Sequence, residues 1–147
     1  METLNHLVLQ KMNCLLQFLT QTKNAFETLA DEIENTLLKA ALNGLSDESH
    51  YYETELRSYC KQMGISLQNN EMKQQEVAEA VSDNDTPYQE LSQICTNKAN
   101  LLTQAYQDLM KEIAALVPLK QMIYYQMQAL QYSFLKIDLL NKARFVS

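Results

Sequence analysis

A chain of 147 residues with 46% hydrophobic and 20% charged side chains has the make-up of one globular domain rather than of a natively disordered chain. Its formal charge of −6, with 12 Lys and Arg scattered among 18 Asp and Glu, excludes the basic stripe that a nucleic-acid partner needs. With two glycines and two prolines as its only strong breakers, the chain is expected to lie mostly in long helices.

The first helix is expected over about residues 2–33. Leu4, Val8, Met12, Leu15, Leu19, Phe26 and Leu29 recur at spacings of three, four or seven, which places them on one helical face. Leu7, Cys14, Phe18 and Ala25 widen that stripe, as for a helix that meets two neighbours. Met1–His6 lacks a basic leader and Gln10, Lys11 and Asn13 interrupt the apolar residues that follow, so a cytoplasmic location is expected. No apolar run approaches the ~20 residues of a membrane span, and no membrane partner is expected.

Glu34-Asn35-Thr36 is the best candidate turn, the alternative being one continuous helix through this point, and Asn35 or Thr36 is able to cap a second helix over about residues 36–63. Leu38, Ala41, Leu45, Tyr52, Leu56, Tyr59 and Met63 form its stripe, and Gly64 suits the position just past its end. The stripe skips a turn between Leu45 and Tyr52, where Glu48 and Ser49 are polar. Gly44 either admits a close neighbour or is simply tolerated.

Residues 64–86 read as a crossover. Gln68-Asn69-Asn70 and Ser82-Asp83-Asn84-Asp85 bracket Glu71–Val81, a stretch able to form a short helix. The third helix is expected over about 87–116, opened by Thr86 at the N-cap, Pro87 at the first helical position and Gln89 as capping-box partner. Its stripe is Tyr88, Leu91, Cys95, Leu102, Ala105, Leu109 and Ile113. The fourth helix, about 118–142, starts at Pro118 and turns Leu119, Ile123, Met127 or Gln126, Leu130, Phe134, Ile137 and Leu140 inward, while Ala143 to Ser147 are expected to fray.

Helices of roughly 24–32 residues are each about 36–48 Å long. Two tight turns and one long middle connection then fit an all-α, single-domain, antiparallel four-helix bundle, ferritin-like if the connection crosses over and up-down if it does not. Ala25-Phe26-Glu27, Glu34-Asn35-Thr36 and Asp47-Glu48-Ser49 through Glu55-Leu56-Arg57 to Met63-Gly64 are similar to a bacterial ferritin-like bundle family, itself described as a domain of unknown function. Ile94-Cys95, Ala105-Tyr106, Leu116-Val117-Pro118 and Ile137-Asp138-Leu139-Leu140 resemble it too. The resemblance spans most of the chain except about residues 65–85, and it implies the ferritin-like fold. Relatives often carry acidic residues early in the third helix and a glutamate and a histidine in the fourth; this chain has Ala99, Tyr124 and Phe134 there.

That departure bears on chemistry. A di-iron carboxylate centre takes a Glu from each of two helices and Glu-x-x-His from each of the other two, all facing inward. With His6 and His50 as its two histidines, and Asp138 as the one acid of the fourth helix, the chain cannot complete that set. A lesser metal site could draw on Glu27, Asp47, Glu48 and His50; the preferred reading leaves Glu27, Asp47 and His50 on solvated flanks and gives Glu48 a hydrogen-bond partner. Cys14, Cys60 and Cys95 stand far apart and read as buried free thiols rather than as disulfides, zinc ligands or a Cys–His nucleophile. Gly44 and Gly64 make no phosphate loop.

Tyr125 and Tyr132, seven apart on the aromatic-rich fourth helix, share a face suited to a subunit interface. The expected function is therefore a non-catalytic bundle without cofactor, structural or protein-binding, with self-association or a protein partner. A metal-binding or oxidoreductase role and a small molecule bound in the bundle core are the alternatives.

Overall fold

The computed structural model describes residues 6–65, 67 and 87–143. Among them lie four helices: α1 (His6–Glu32), α2 (Thr36–Gln62), α3 (Pro87–Glu112) and α4 (Val117–Ala143). Leu4, Thr86, the stretch Glu71–Val81 and the residues after Ala143 lie outside the described residues.

The short-range signals act where the chemistry puts them. Asn35, in extended conformation, is the N-cap of α2, and its Oδ1 accepts the Leu38 N–H at 3.0 Å. At the other end Gly64, at φ +72°, lets the Gly64 N–H bond Lys61 O and the Ile65 N–H bond Cys60 O at 2.8 Å. This is the paired bonding of a Schellman stop, which needs the left-handed backbone that glycine adopts without strain. A Cβ at Gly44 would meet nothing within 4 Å, so that glycine is tolerated rather than required for close approach.

α3 ends at Glu112, four residues before its expected end, because the chain uses Ile113–Leu116 to reverse. The Leu116 N–H bonds Ile113 O at 2.8 Å, and the Leu116 carbonyl accepts from Lys120 N–H as the first bond of α4. Pro118 falls in that first turn, where a missing N–H costs nothing.

α1 packs on α2 and α3, and α4 packs on the same two helices, so α1 faces α4 on one diagonal and α2 faces α3 on the other. Side-chain pairs fix the directions. Lys11 near the start of α1 meets Glu112 at the end of α3 at 3.1 Å. Ser46 Oγ of α2 donates to Lys23 O of α1 at 2.9 Å, and Asn141 Nδ2 near the end of α4 donates to Tyr88 O at the start of α3 at 3.2 Å. Every packed pair is thus antiparallel, which makes the diagonal pair α2 and α3 parallel. The chain leaves α2 at one end of the bundle and enters α3 at the other, which is the crossover order and not up-down.

The stripes meet in one core. Val8, Met12, Leu15, Leu19, Phe26, Leu45, Leu56, Leu91, Leu102, Leu109, Leu119, Ile123, Leu130 and Ile137 are buried, each contributing about 1.5–3 kcal/mol of transfer free energy. Phe26 and Phe134 span the α1–α4 diagonal edge to face, with centroids 5.7 Å apart. Three expectations of burial are corrected. Leu7 is 41% exposed and Cys14 is exposed, because they lie seven apart on one edge of the α1 stripe, beyond the arc that α2 and α3 cover. Met63 is exposed because it is the C-cap, where the chain turns out of the helix. In compensation Leu16, Ala30, Ile33, Leu42 and Tyr106 are buried.

Candidate functional site

A connected polar cluster lies on the seam where α2, α3 and α4 meet, apart from the buried Thr22, Ser46 and Asn141, which bond to backbone carbonyls elsewhere. Glu48, Tyr52 and Glu55 recur at steps of four and three along α2, which turns them toward α4. Tyr52 Oη donates to Glu48 Oε2 at 2.8 Å, and Ser133 of α4 donates from Oγ to Glu48 Oε1 at 2.5 Å. One turn along, Gln126 is wholly buried. Its Oε1 accepts from Tyr106 Oη of α3 at 2.9 Å, while its Nε2 donates to Glu55 Oε1 at 2.8 Å and to the Tyr52 carbonyl at 3.4 Å.

The electrostatics follow from that burial. Desolvation, and then the hydrogen bond to the Glu48 carboxylate, hold the Tyr52 phenol well above its ordinary range. Burial does the same for Tyr106, helped by the nearby Tyr52, Glu48 and Glu55. Both phenols therefore stay neutral donors at physiological pH. Ser49 Oγ, fully buried on the same helix, has no hydrogen-bond partner among the described residues.

The family that the sequence motifs resemble implies metal chemistry, and the residues present do not fit it. Tyr106 and Gln126, buried at the middle of the polar cluster, are neutral groups bonded to one another. The two Glu48 oxygens are engaged by Tyr52 and Ser133. Glu27 is exposed and lies 4.0 Å from Lys23 within α1, while Asp47 and His50 are exposed on α2. Among the described residues no three His, Cys, Asp or Glu side chains gather into a metal-binding group. At the positions where the resembled family often carries acids or a histidine, Ala99 is half-buried, Tyr124 is exposed, and the Phe134 ring packs on Phe26.

The thiols likewise stay apart. Burial pushes Cys60 up to about 11 and Cys95 up to about 12, the latter also raised by Asp138, so both remain protonated and poor nucleophiles. Cys14 stands alone at the surface of α1.

The outer side of α4 is the other feature out of the ordinary. Val117, Tyr124, Tyr125, Tyr132, Leu135 and Leu139 are each between 49% and 70% exposed. At 3.6 residues per turn they fall within about 100° of the helix circumference. α4 thus carries an apolar stripe on its solvent side as well as on its core side. Tyr125 and Tyr132 stand on it together, as their spacing predicts, and Tyr125 also packs edge to face on Tyr52 at 6.4 Å.

The Tyr106–Gln126–Glu55 connection is what sequence reasoning missed. The available signal was Gln126 competing with Met127 for a core position, since a glutamine on an apolar stripe requires buried partners. Both residues prove to be buried.

Compared with known proteins, the chain matches no family model, no curated protein and no solved structure. Among the described residues no helix is long and apolar enough to cross a membrane.

Proposed function

We propose that this chain is a non-catalytic helical bundle that works by binding protein, first of all a second copy of itself, through the outer face of α4. The stripe Val117, Tyr124, Tyr125, Tyr132, Leu135 and Leu139 carries the reading. Exposed apolar side chains aligned along one helix face mark an interaction site, and tyrosine gives large contact area at small entropic cost. Kinship with the ferritin-like bundles belongs to the same reading, supported by the crossover order and by the motifs that resemble that family.

The stripe is also arranged to meet itself. With two α4 helices antiparallel about a two-fold axis near Tyr132, Tyr124 and Tyr125 of one copy lie beside Leu139 of the other, Leu135 lies against Gln128, and the two Tyr132 rings meet at the centre. The five side chains from Tyr124 to Leu139 supply part of the roughly 800 Å² per partner that a standard interface covers.

Sedimentation equilibrium tests this. The wild-type chain is expected to form a concentration-dependent dimer, and Tyr132→Glu and Leu135→Lys are expected to be monomers with unchanged helical circular dichroism. A wild-type monomer at every concentration, or a dimer indifferent to both substitutions, overturns the proposal.

A further inference from the structure

On the α2 flank of α4, bordering the outer stripe at Tyr125 through the ring contacts Tyr51–Tyr52 and Tyr52–Tyr125, the two helices leave an open groove of about 350 Å³. Its walls include Tyr51, Glu55, Ser58, Tyr59 and Gln62 from α2 and Met122 from α4. Tyr51, Glu55 and Tyr59 stand at four-residue steps, so the carboxylate lies one turn from an aromatic ring on either side. Among the described residues no Lys or Arg side chain lines the groove.

The carboxylate is held in place and lacks a counter-charge. Glu55 Oε1 accepts from Gln126 Nε2, and Gln126 is fixed in turn by Tyr106. Glu55 makes no ion pair among the described residues, whereas Glu53, on the same helix, is paired with Arg57 at 2.9 Å. Glu48, seven residues before Glu55, is satisfied by two hydroxyls and also lacks a cationic partner among the described residues. The seam therefore presents uncompensated negative charge beside aromatic faces, the combination that attracts an organic cation.

We propose that this groove binds a linear aliphatic amine. A primary ammonium donates to the free lone pairs of Glu55 in charge-assisted hydrogen bonds and lies against the Tyr51 and Tyr59 rings. The methylene chain runs along Met122, with the Ser58 hydroxyl and the Gln62 carbonyl as acceptors for a second amine group. The volume suits a short polyamine and falls in the range of small-ligand sites. This assignment rests on the α2–α4 groove and is independent of self-association through α4.

The test is an NMR titration with spermidine on the full chain, following the Met122 methyl and the Tyr51 and Tyr59 ring signals. Because a protein of net charge −6 attracts any polyamine weakly, two charge-matched variants decide the matter. Glu55→Gln, which retains an oxygen for Gln126, is expected to weaken binding about tenfold, and Glu53→Gln to leave it within about twofold. Tyr59→Leu is expected to weaken it several-fold. Absence of shifts at Met122 up to 10 mM spermidine, or equal weakening by Glu55→Gln and Glu53→Gln, overturns the assignment, the second outcome meaning diffuse attraction only.

Discussion

Tyr106 on α3 donates its hydroxyl to Gln126 on α4 at 2.9 Å, in a layer of the bundle where both side chains are almost fully buried. Neither residue can be satisfied by its own helix, so each depends on the register of the other. The pair is expected to couple. Tyr106→Phe leaves the Gln126 carbonyl without its donor, and Gln126→Leu strands both the Tyr106 hydroxyl and Glu55; each is expected to cost about 1–3 kcal/mol in urea melts. The double variant should cost less than the sum of the two, because the buried groups then disappear together. Strict additivity would mean that the hydrogen bond contributes nothing to the fold.

Ser49 presents the opposite case. Its hydroxyl is buried and has no partner among the described residues, on a helix where alanine is the better helix former. Ser49→Ala is expected to raise stability by about 1 kcal/mol. A loss of that size in the same melts would show that the hydroxyl is satisfied in solution.

Alkaline pH should weaken the fold through the buried thiols first. Cys60 and Cys95 have folded values of about 11 and 12 against an ordinary 9.0, so above pH 9 the unfolded chain releases protons that the folded chain keeps. Their contribution is complete below pH 9 and is lost as pH rises toward 11–12. Tyr52 and Tyr106, raised from 10.0, add to the loss from pH 10 upward. Thermal melts in reductant between pH 8 and 10.5 should show this fall, and the Cys60→Ala/Cys95→Ala protein should show a flatter one below pH 10. Identical slopes would disprove the thiol part.

The crossover can be tested by length. With α2 and α3 parallel on a diagonal, the chain from residue 63 to residue 86 must travel the roughly 40 Å of a helix this long. A flexible Gly/Ser replacement of residues 68–84 at equal length is expected to leave the melting transition cooperative. Cutting the whole connection to about six residues, with a reach of roughly 20 Å, should abolish the monomeric bundle. A shortened chain that still melts as a cooperative monomer would require a different helix order.

Iron loading addresses the chemistry that a ferritin-like fold brings to mind. After anaerobic Fe(II) incubation and desalting, mass spectrometry is expected to find no iron held by the chain, since Glu48 is engaged by Tyr52 and Ser133 while Glu27, Asp47 and His50 are exposed. Near-stoichiometric iron that disappears in Glu48→Ala would move the protein to the metal-binding reading.

Local signals carried most of the architecture. Asn35 and Gly64 mark the ends of α2 because a cap and a left-handed stop are properties of a few adjacent residues. The stripes of α1, α3 and α4 were legible because burial on one side of a helix leaves a period in the sequence. The edges of those stripes were not, since the arc that neighbours cover is a property of the assembly; hence Leu7 and Cys14 reach solvent while Tyr106 goes inside.

By itself, then, the sequence determined four amphipathic helices, the capped start and glycine stop of α2, and the placing of Tyr125 with Tyr132 on one face, because each depends on residues within a few turns of one another. The tertiary structure alone decided that α2 and α3 stand on a diagonal, that Glu48 is met by Ser133 from another helix, and that Gln126 joins Tyr106 to Glu55. These are contacts between residues far apart in the chain, and periodicity within one helix says which side is buried but not which helix will cover it.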